Sequence, residues 1–324
     1  MKKIAIIFTG GTISMKVDPR LKAAIPSMSS EDIMSLVTNI DQIAHLDITE
    51  FGKYPGPHMT PDLMIELKRL VEVKLMQEDI DGVVVTHGTD NLEETAYLLD
   101  LSISHEKPIV VVGAMRNGSE MGYDGPSNLA AAICTAIHPD SANRGVLVVL
   151  NNEVNAAREV TKTHTMSLDT FKSLELGPIG IVDQEDVIYY REQSTPSINI
   201  ETNHIQSDVH LIKSASGMDS KILNFLIQEK AKGIVIEAMG RGNVPPLMVD
   251  GIRKAIEHNI PVVLVSRCPM GRILGSYGYD GGGSQLEQLG VILANTLNGQ
   301  KARIQLMLAL TKTQDLSELK NYFI

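Results

Sequence analysis

Two short stretches place hydroxyls, glycines and a carboxylate where chemistry can use them. Lys3 to Ile13 reads KIAIIFTGGTI, and Asp81 to Asp90 reads DGVVVTHGTD. Each is an apolar run rich in β-branched residues, as a buried strand of a parallel sheet requires. Each then changes character abruptly. The first ends in Thr9, Gly10, Gly11 and Thr12, the second in Thr86, His87, Gly88, Thr89 and Asp90. In open α/β sheets, ligands bind just past the carboxyl ends of the strands, and glycine lets the backbone approach a ligand closely. On its own residues the second stretch reads equally as a strand, a turn and a capped helix. The segment NLEETAYLLDLSI has helical periodicity, and Asp90 is a good N-cap for it.

Other chemistries lack their residues. The histidines form no H-x-x-x-H pattern and the cysteines no C-x-x-C, so neither a metal nor a cofactor is expected. TGGTI lacks the G-K-[ST] ending of a phosphate-binding loop and the G-x-G-x-x-G of a dinucleotide turn. No G-x-S-x-G elbow is present. What remains is threonine as a nucleophile, which is ineffective as a free hydroxyl and needs a base nearby. A lysine beside hydroxyls and a carboxylate can take up or pass on a proton where its site favours the neutral amine.

The pair TGGTI and THGTD resembles the two signature motifs of the bacterial-type L-asparaginase family, and the likeness runs over nearly the whole chain. Ala157 to Lys162 (AREVTK) resembles the family segment that supplies a catalytic lysine; on residues alone, Lys162 reads as one solvated lysine among many. The resemblance implies that Thr12 attacks the side-chain amide carbon of L-asparagine. It implies that Thr89, Lys162 and Asp90 form a hydrogen-bonded triad that relays protons and orients the substrate. Backbone N–H groups near Thr89 would stabilise the oxyanion, and water would hydrolyse the acyl-enzyme.

Further segments match. Gly11 and Gly88 sit inside the two motifs as substrate-binding positions. Ala114-Met115-Arg116 and Asp124-Gly125-Pro126 with Asn128 resemble the family's AMR and DGP-x-N segments, and Ala114 is a substrate-binding candidate. Asn243, in GRGN, matches an asparagine that reaches a neighbouring subunit's site. LNGQKARIQLMLALT resembles the closing helix of the family's second domain. The implied protein is a cytoplasmic-type L-asparaginase that assembles as a homodimer or homotetramer, with glutamine as a side substrate.

The chain departs from the family pattern in two places. A serine and an acidic residue usually bind the substrate's α-carboxylate and α-ammonium, where this chain has Gly56 and His58 with Pro57 between. Backbone N–H groups from Gly56 to His58 are expected to take over that work. The family's lid usually carries a tyrosine near the nucleophile, and Ser14 to Ser30 contains none. Tyr279, with Tyr277 as the less favoured neighbour, is expected to replace it from a partner subunit. Other readings are the asparaginase-like subunit of a tRNA-dependent amidotransferase and a non-catalytic amino-acid sensor on the same fold. The first usually carries an extra N-terminal domain, whereas strand character begins here at Lys3. The second has no need of all four catalytic side chains.

The elements that must position these residues alternate strand and helix, which predicts a doubly wound, mainly parallel sheet. A larger N-terminal α/β domain is expected over 1–191, a polar linker over 192–208 and a smaller C-terminal α/β domain over 209–324. Within the first, Ser14–Met28 is expected as a loop excursion, a candidate lid, and Leu46-Asp47-Ile48 as a short strand before a turn-rich loop at 51–60. Ser29 is expected to cap one helix, and Pro61 to open another.

Composition narrows the partners. The 324 residues carry a net charge of −10, which argues against nucleic acid or an anionic membrane. The cysteines, Cys134 and Cys268, lie in separate apolar segments and suit a reducing cytosol. The run Ile4–Phe8 is short for a signal peptide, and no segment reaches transmembrane length.

Overall fold

Uninterrupted β-branched runs build the centre of the first unit. The computed structural model describes residues 1–193 and 198–323, and the chain forms two compact units that divide between Glu201 and Thr202. The first unit contains strands β1 (Lys3–Gly10), β2 (Met15–Asp18), β3 (Ala23–Pro26), β4 (His45–Tyr54), β5 (Gly82–Thr86), β6 (Ile109–Val112), β7 (Val146–Leu150), β8 (Glu153–Ala156), β9 (Thr161–Lys162), β10 (Phe171–Lys172), β11 (Gly180–Asp183) and β12 (Asp186–Tyr189). Its helices are α1 (Ser30–Met34), α2 (Pro61–Leu75), α3 (Leu92–Ser102) and α4 (Gly125–Ile137).

One eight-stranded sheet runs in the order β4-β1-β5-β6-β7-β8-β11-β12. From β4 to β7 all neighbours are parallel; β8, β11 and β12 continue the sheet antiparallel. The sheet is therefore mainly parallel, as the alternation predicts, with an antiparallel end. β1, β5, β6 and β7 are buried on both faces. Ile4, Ile6, Val84, Val110, Val112, Leu147 and Val149 pack with Leu129, Ala132, Ile133 and Ala136 of α4. The alternate positions Ile7, Val83, Val85, Val111 and Val148 are equally buried, on the face that α2 and α3 cover. From β1 the chain crosses to β4 on one side, then returns to β5 on the other. The strand order thus reverses between β1 and β5, and the crevice beyond their carboxyl ends is where such a sheet binds ligands.

Two local expectations are corrected. β4 is ten residues long and runs on through Tyr54, so the first four residues of the loop expected over 51–60 are strand. As an edge strand it mixes charged with apolar positions, which hides it from an apolar-run test. Ser14–Met28 is an antiparallel hairpin in which Met15 pairs Pro26 and Asp18 pairs Ala23. Helix starts fare better. Ser29 caps α1 in a reciprocal box with Asp32, and Thr60 caps α2 with Pro61 in its first turn.

Of the expected linker 192–208, residues 194–197 lie outside the described residues. The Ile200 N–H donates to the Leu101 carbonyl (2.6 Å), and the Gln206 N–H to Met307 (3.1 Å).

The second unit holds β13 (Val209–Lys213), β14 (Gly233–Ala238), β15 (Val262–Ser266) and β16 (Ile292–Leu293), with α5 (Lys221–Gln228), α6 (Pro246–Glu257), α7 (Gly283–Gln288), α8 (Gly299–Ala309) and α9 (Leu316–Leu319). Its four strands form a parallel sheet in that order. Ile234, Ile236 and Leu264 pack against Leu223 of α5 and Met248 and Ile252 of α6. α8 packs against β13, β14 and β15.

Candidate active site

The turns after β1 and β5 meet backbone to backbone. Gly11 has φ 79°, a conformation that favours glycine. A Cβ on Gly11 would lie 2.4 Å from the Gly88 nitrogen, and one on Gly88 would lie 2.7 Å from the Gly56 Cα. Side chains at either position would force the loops apart. This contact sets Thr12 and Thr89, each one residue further on, on adjoining turns. Thr12 opens a single 3₁₀ turn, Thr12–Ser14. The turn is fastened by the Gly11 N–H to the Tyr54 carbonyl (2.9 Å) and the Ser14 hydroxyl to the Gly11 carbonyl (2.9 Å). The Tyr123 hydroxyl donates to the Ile13 carbonyl, and burial pushes that phenol well above its ordinary pKa. Thr12 is half-buried, and its hydroxyl makes no hydrogen bond among the described residues.

Lys162 joins the second turn directly. Its Nζ donates to Thr89 Oγ1 at 3.0 Å and to Asp90 Oδ1 at 2.9 Å. The Lys162 side chain is 17% exposed and that of Asp90 63%, while Thr89 is buried. Asp90 is not the helix cap: α3 is capped at Asn91, with no side-chain cap bond. The Asp90 carboxylate takes the lysine, and the Asn91 amide donates to the Met59 carbonyl (3.2 Å). A lysine that on residues alone reads as solvated is thus placed on a hydroxyl and a carboxylate. Behind it, buried Glu93 accepts from the Lys162 N–H (3.2 Å) and the Thr161 hydroxyl (2.9 Å), both at Oε1. The sequence reading missed Glu93. Its only signal was an acidic residue in a first helical turn, and its partner lies 69 positions along the chain.

The peptide groups beside Thr89 are also arranged. The His87 N–H donates to the Val112 carbonyl (2.7 Å). The N–H groups of Gly88, Thr89 and Asp90 have no hydrogen-bond partner among the described residues, so they can receive a developing negative charge. The His87 ring is fully buried, with Nδ1 2.8 Å from the Gly88 carbonyl and Nε2 2.8 Å from Thr95 Oγ1. Burial lowers its pKa to about 4, so the ring is neutral at pH 7. A neutral ring with a carbonyl at Nδ1 carries its proton there and accepts from Thr95 at Nε2. Because C=O and N–H point in opposite directions across a trans peptide, holding the Gly88 carbonyl also aims the Thr89 N–H.

Ala114 is buried just beyond β6. Asp124 holds that turn by accepting from the N–H groups of Met115 (3.0 Å) and Arg116 (2.9 Å) and from the Asn128 amide (2.9 Å). Asn128 also donates to the Gly113 carbonyl (3.0 Å). The AMR and DGP-x-N segments are therefore one hydrogen-bonded corner.

The Gly56–His58 expectation narrows. Pro57 has no N–H, and the His58 N–H donates to the Pro55 carbonyl (2.9 Å) within a 3₁₀ turn. Only the Gly56 N–H is left without a partner among the described residues, while Pro57 and His58 are exposed. A Cβ at Gly56 would come 3.2 Å from Asn91 Oδ1 and 3.3 Å from the Asp90 Cβ.

Thr12, Thr89, Asp90 and Lys162, with Gly11, Gly56, Gly88 and Ala114, belong to the first unit. Asn243 and Tyr279 belong to the second, where both line a hollow of about 490 Å³ with Met239, Val244 and Pro245. Asn243 Oδ1 accepts from the Gly283 N–H (3.2 Å). Tyr279 is 55% exposed, and its ring lies 5.6 Å from that of Tyr277. Gly281, at φ 84°, gives its carbonyl to the Val244 N–H (2.9 Å) and so ties the tyrosine loop to the Asn243 turn.

Among the described residues, no three His, Cys, Asp or Glu side chains are grouped to hold a metal ion. No described helix is long and apolar enough to cross a membrane. Residues 3–195 match the family description "Asparaginase, N-terminal", and 208–323 match "Glutaminase/Asparaginase C-terminal domain". The chain is 36% identical over 330 residues to a probable periplasmic L-asparaginase of Haemophilus influenzae, covering 100% of this chain and 93% of that protein. It is 32% identical over 314 residues to an L-asparaginase of Bacillus licheniformis, covering 97% of each. The crystal structure of a probable cytoplasmic L-asparaginase from Campylobacter jejuni superposes with a TM-score of 0.88 at 32% identity, over 100% of this chain and 99% of that one. Two matched domains spanning almost the entire length, with the motif threonines on adjoining turns, settle the affiliation: the chain belongs to the bacterial-type L-asparaginase family of amidohydrolases.

Proposed function

We propose that the chain hydrolyses L-asparagine to L-aspartate and ammonia, with Thr12 as nucleophile. The observation that carries this reading is Lys162 Nζ within hydrogen-bond reach of both Thr89 Oγ1 and Asp90 Oδ1. Thr12 Oγ1 attacks the side-chain amide carbon and gives up the proton that the amide nitrogen takes on leaving. The carbonyl π pair moves to oxygen, which the unpartnered N–H groups around Thr89 receive. As the C–N bond breaks, the nitrogen takes a proton and leaves as ammonia, and a Thr12 ester remains. Thr89 and Lys162 then take a proton from an entering water, with Asp90 holding the amine. The water attacks the ester, and the Thr12 oxygen recovers its proton as aspartate leaves. Gly11, Gly56, Gly88 and Ala114 line the substrate's path with backbone.

Among the described residues the Thr12 hydroxyl has no hydrogen-bond partner, and this fits a donor brought by another subunit. We assign that part to Tyr279, with Asn243 beside it, in a homodimer or homotetramer. The second domain, 209–324, thus serves a partner's site. Glutamine is the expected side substrate. A buried Cys134, an exposed Cys268 and no disulfide between them suit a cytoplasmic setting. The deciding experiment measures ammonia release from asparagine, with and without glutamine as competitor, for wild type and Thr12→Ala. Near wild-type turnover in Thr12→Ala overturns the assignment. Wild-type protein that binds asparagine without releasing ammonia favours a sensor.

A further inference from the structure

The strand that delivers Lys162 is too small to place it. β9 is two residues long, and among the described residues its only ladder is with two-residue β10, Lys162 opposite Phe171 and Thr161 opposite Lys172. An isolated two-stranded ribbon is marginal in water even at greater length. Yet the lysine amine must hold its place to within a few tenths of an ångström to stay in hydrogen-bond reach for proton transfer. The constraint therefore comes from outside the ribbon, and Glu93 supplies it. Its buried Oε1 accepts from the Lys162 N–H at 3.2 Å and the Thr161 hydroxyl at 2.9 Å. Thr89 and Asp90, which hold the amine, lie four and three residues before Glu93, in the turn that leads into its helix. One short rigid segment thus grips the lysine at both ends, backbone and amine. From this geometry we infer that Glu93 is a positioning residue, which fixes the Lys162 backbone so that its amine reaches Thr89 and Asp90.

The inference rests on the proposed role of Lys162. It requires an acceptor oxygen at Glu93 rather than a charge, because one oxygen takes both bonds. Glu93→Gln should therefore keep kcat within about fivefold of wild type, whereas Glu93→Ala should lower kcat roughly ten- to a hundredfold with little change in KM. Thr161→Val, a milder change that leaves the strand its shape, should lower kcat about threefold in the same direction. In a Lys162→Met background, Glu93→Ala should cost little more, since the group it positions is gone. Circular dichroism and sedimentation check that each variant is folded and assembled. If Glu93→Ala does not fold, Thr161→Val and Glu93→Gln decide between the outcomes. Equal loss in Glu93→Gln and Glu93→Ala, wild-type kcat in Thr161→Val, or full additivity with Lys162→Met would each overturn the positioning role. A Lys162→Met protein with wild-type kcat would instead overturn the proposed function on which this rests.

Discussion

At the residue scale, the proposed site divides into groups that would touch the substrate and groups that hold them. Lys162→Met should lower kcat on the order of a hundredfold or more if the amine moves protons, with KM changing less; an effect confined to KM would reduce the lysine to a charge contact. His87 belongs to the second set and gives the protein an acid sensitivity whose sign is fixed. Its folded pKa is depressed to about 4 from an unfolded 6.5. Above pH 6.5 both states are neutral there and its contribution to stability is whole. As the pH falls through that window, the unfolded chain binds a proton that the native ring refuses, and stability declines by up to about 3 kcal/mol. Denaturant unfolding at pH 7 and pH 4.5 should show that drop, and a shallower one in His87→Asn. Equal pH slopes in the two proteins would rule the ring out as the cause.

At the element scale, what could be read from the sequence and what could not have separate physical causes. Strands such as Val83–Val85 announce themselves because both faces are buried, so every residue is apolar. β4 does not, because an edge strand alternates with charge. Asp90 looked like a cap because Asp caps helices in general; only its pairing with Lys162, 72 positions away, shows that the carboxylate is engaged elsewhere. The Glu93 contact has the same long-range character. The corner around Ala114 was legible only as two motif fragments, and the fold shows them to be one unit held by Asp124. Asp124→Ala strips an acceptor from three buried or half-buried donors and should cost about 1–3 kcal/mol of stability. Faster amide exchange at Met115 and Arg116 should accompany it. Unchanged protection at both amides would mean that the corner is held by something else.

At the scale of the whole molecule, the expectation is that a complete site draws on more than one chain. Thr12→Ala and Tyr279→Phe subunits, each impaired alone, should regain activity when mixed, because some sites then combine an intact threonine with an intact tyrosine. Tyr279→Phe by itself should lower kcat by roughly ten- to a thousandfold, and Tyr277→Phe far less. No recovery in confirmed mixed oligomers would mean that Tyr279 works within its own chain or not at all.

The backbone contact between Gly11 and Gly88 also bears on how the protein can be changed by mutation. Every single-base change of a glycine codon either leaves glycine, adds a side chain or truncates the chain. At these two positions a Cβ would fall 2.4 Å from the Gly88 nitrogen and 2.7 Å from the Gly56 Cα, so neither codon has a viable neighbour that changes the residue. Gly56 is different: its Cβ would meet the Asn91 side chain at 3.2 Å, which a small adjustment can relieve. Libraries built to alter substrate preference should hold the codons for Gly11 and Gly88 fixed and randomise Gly56, Pro57, His58 and Asn91 together.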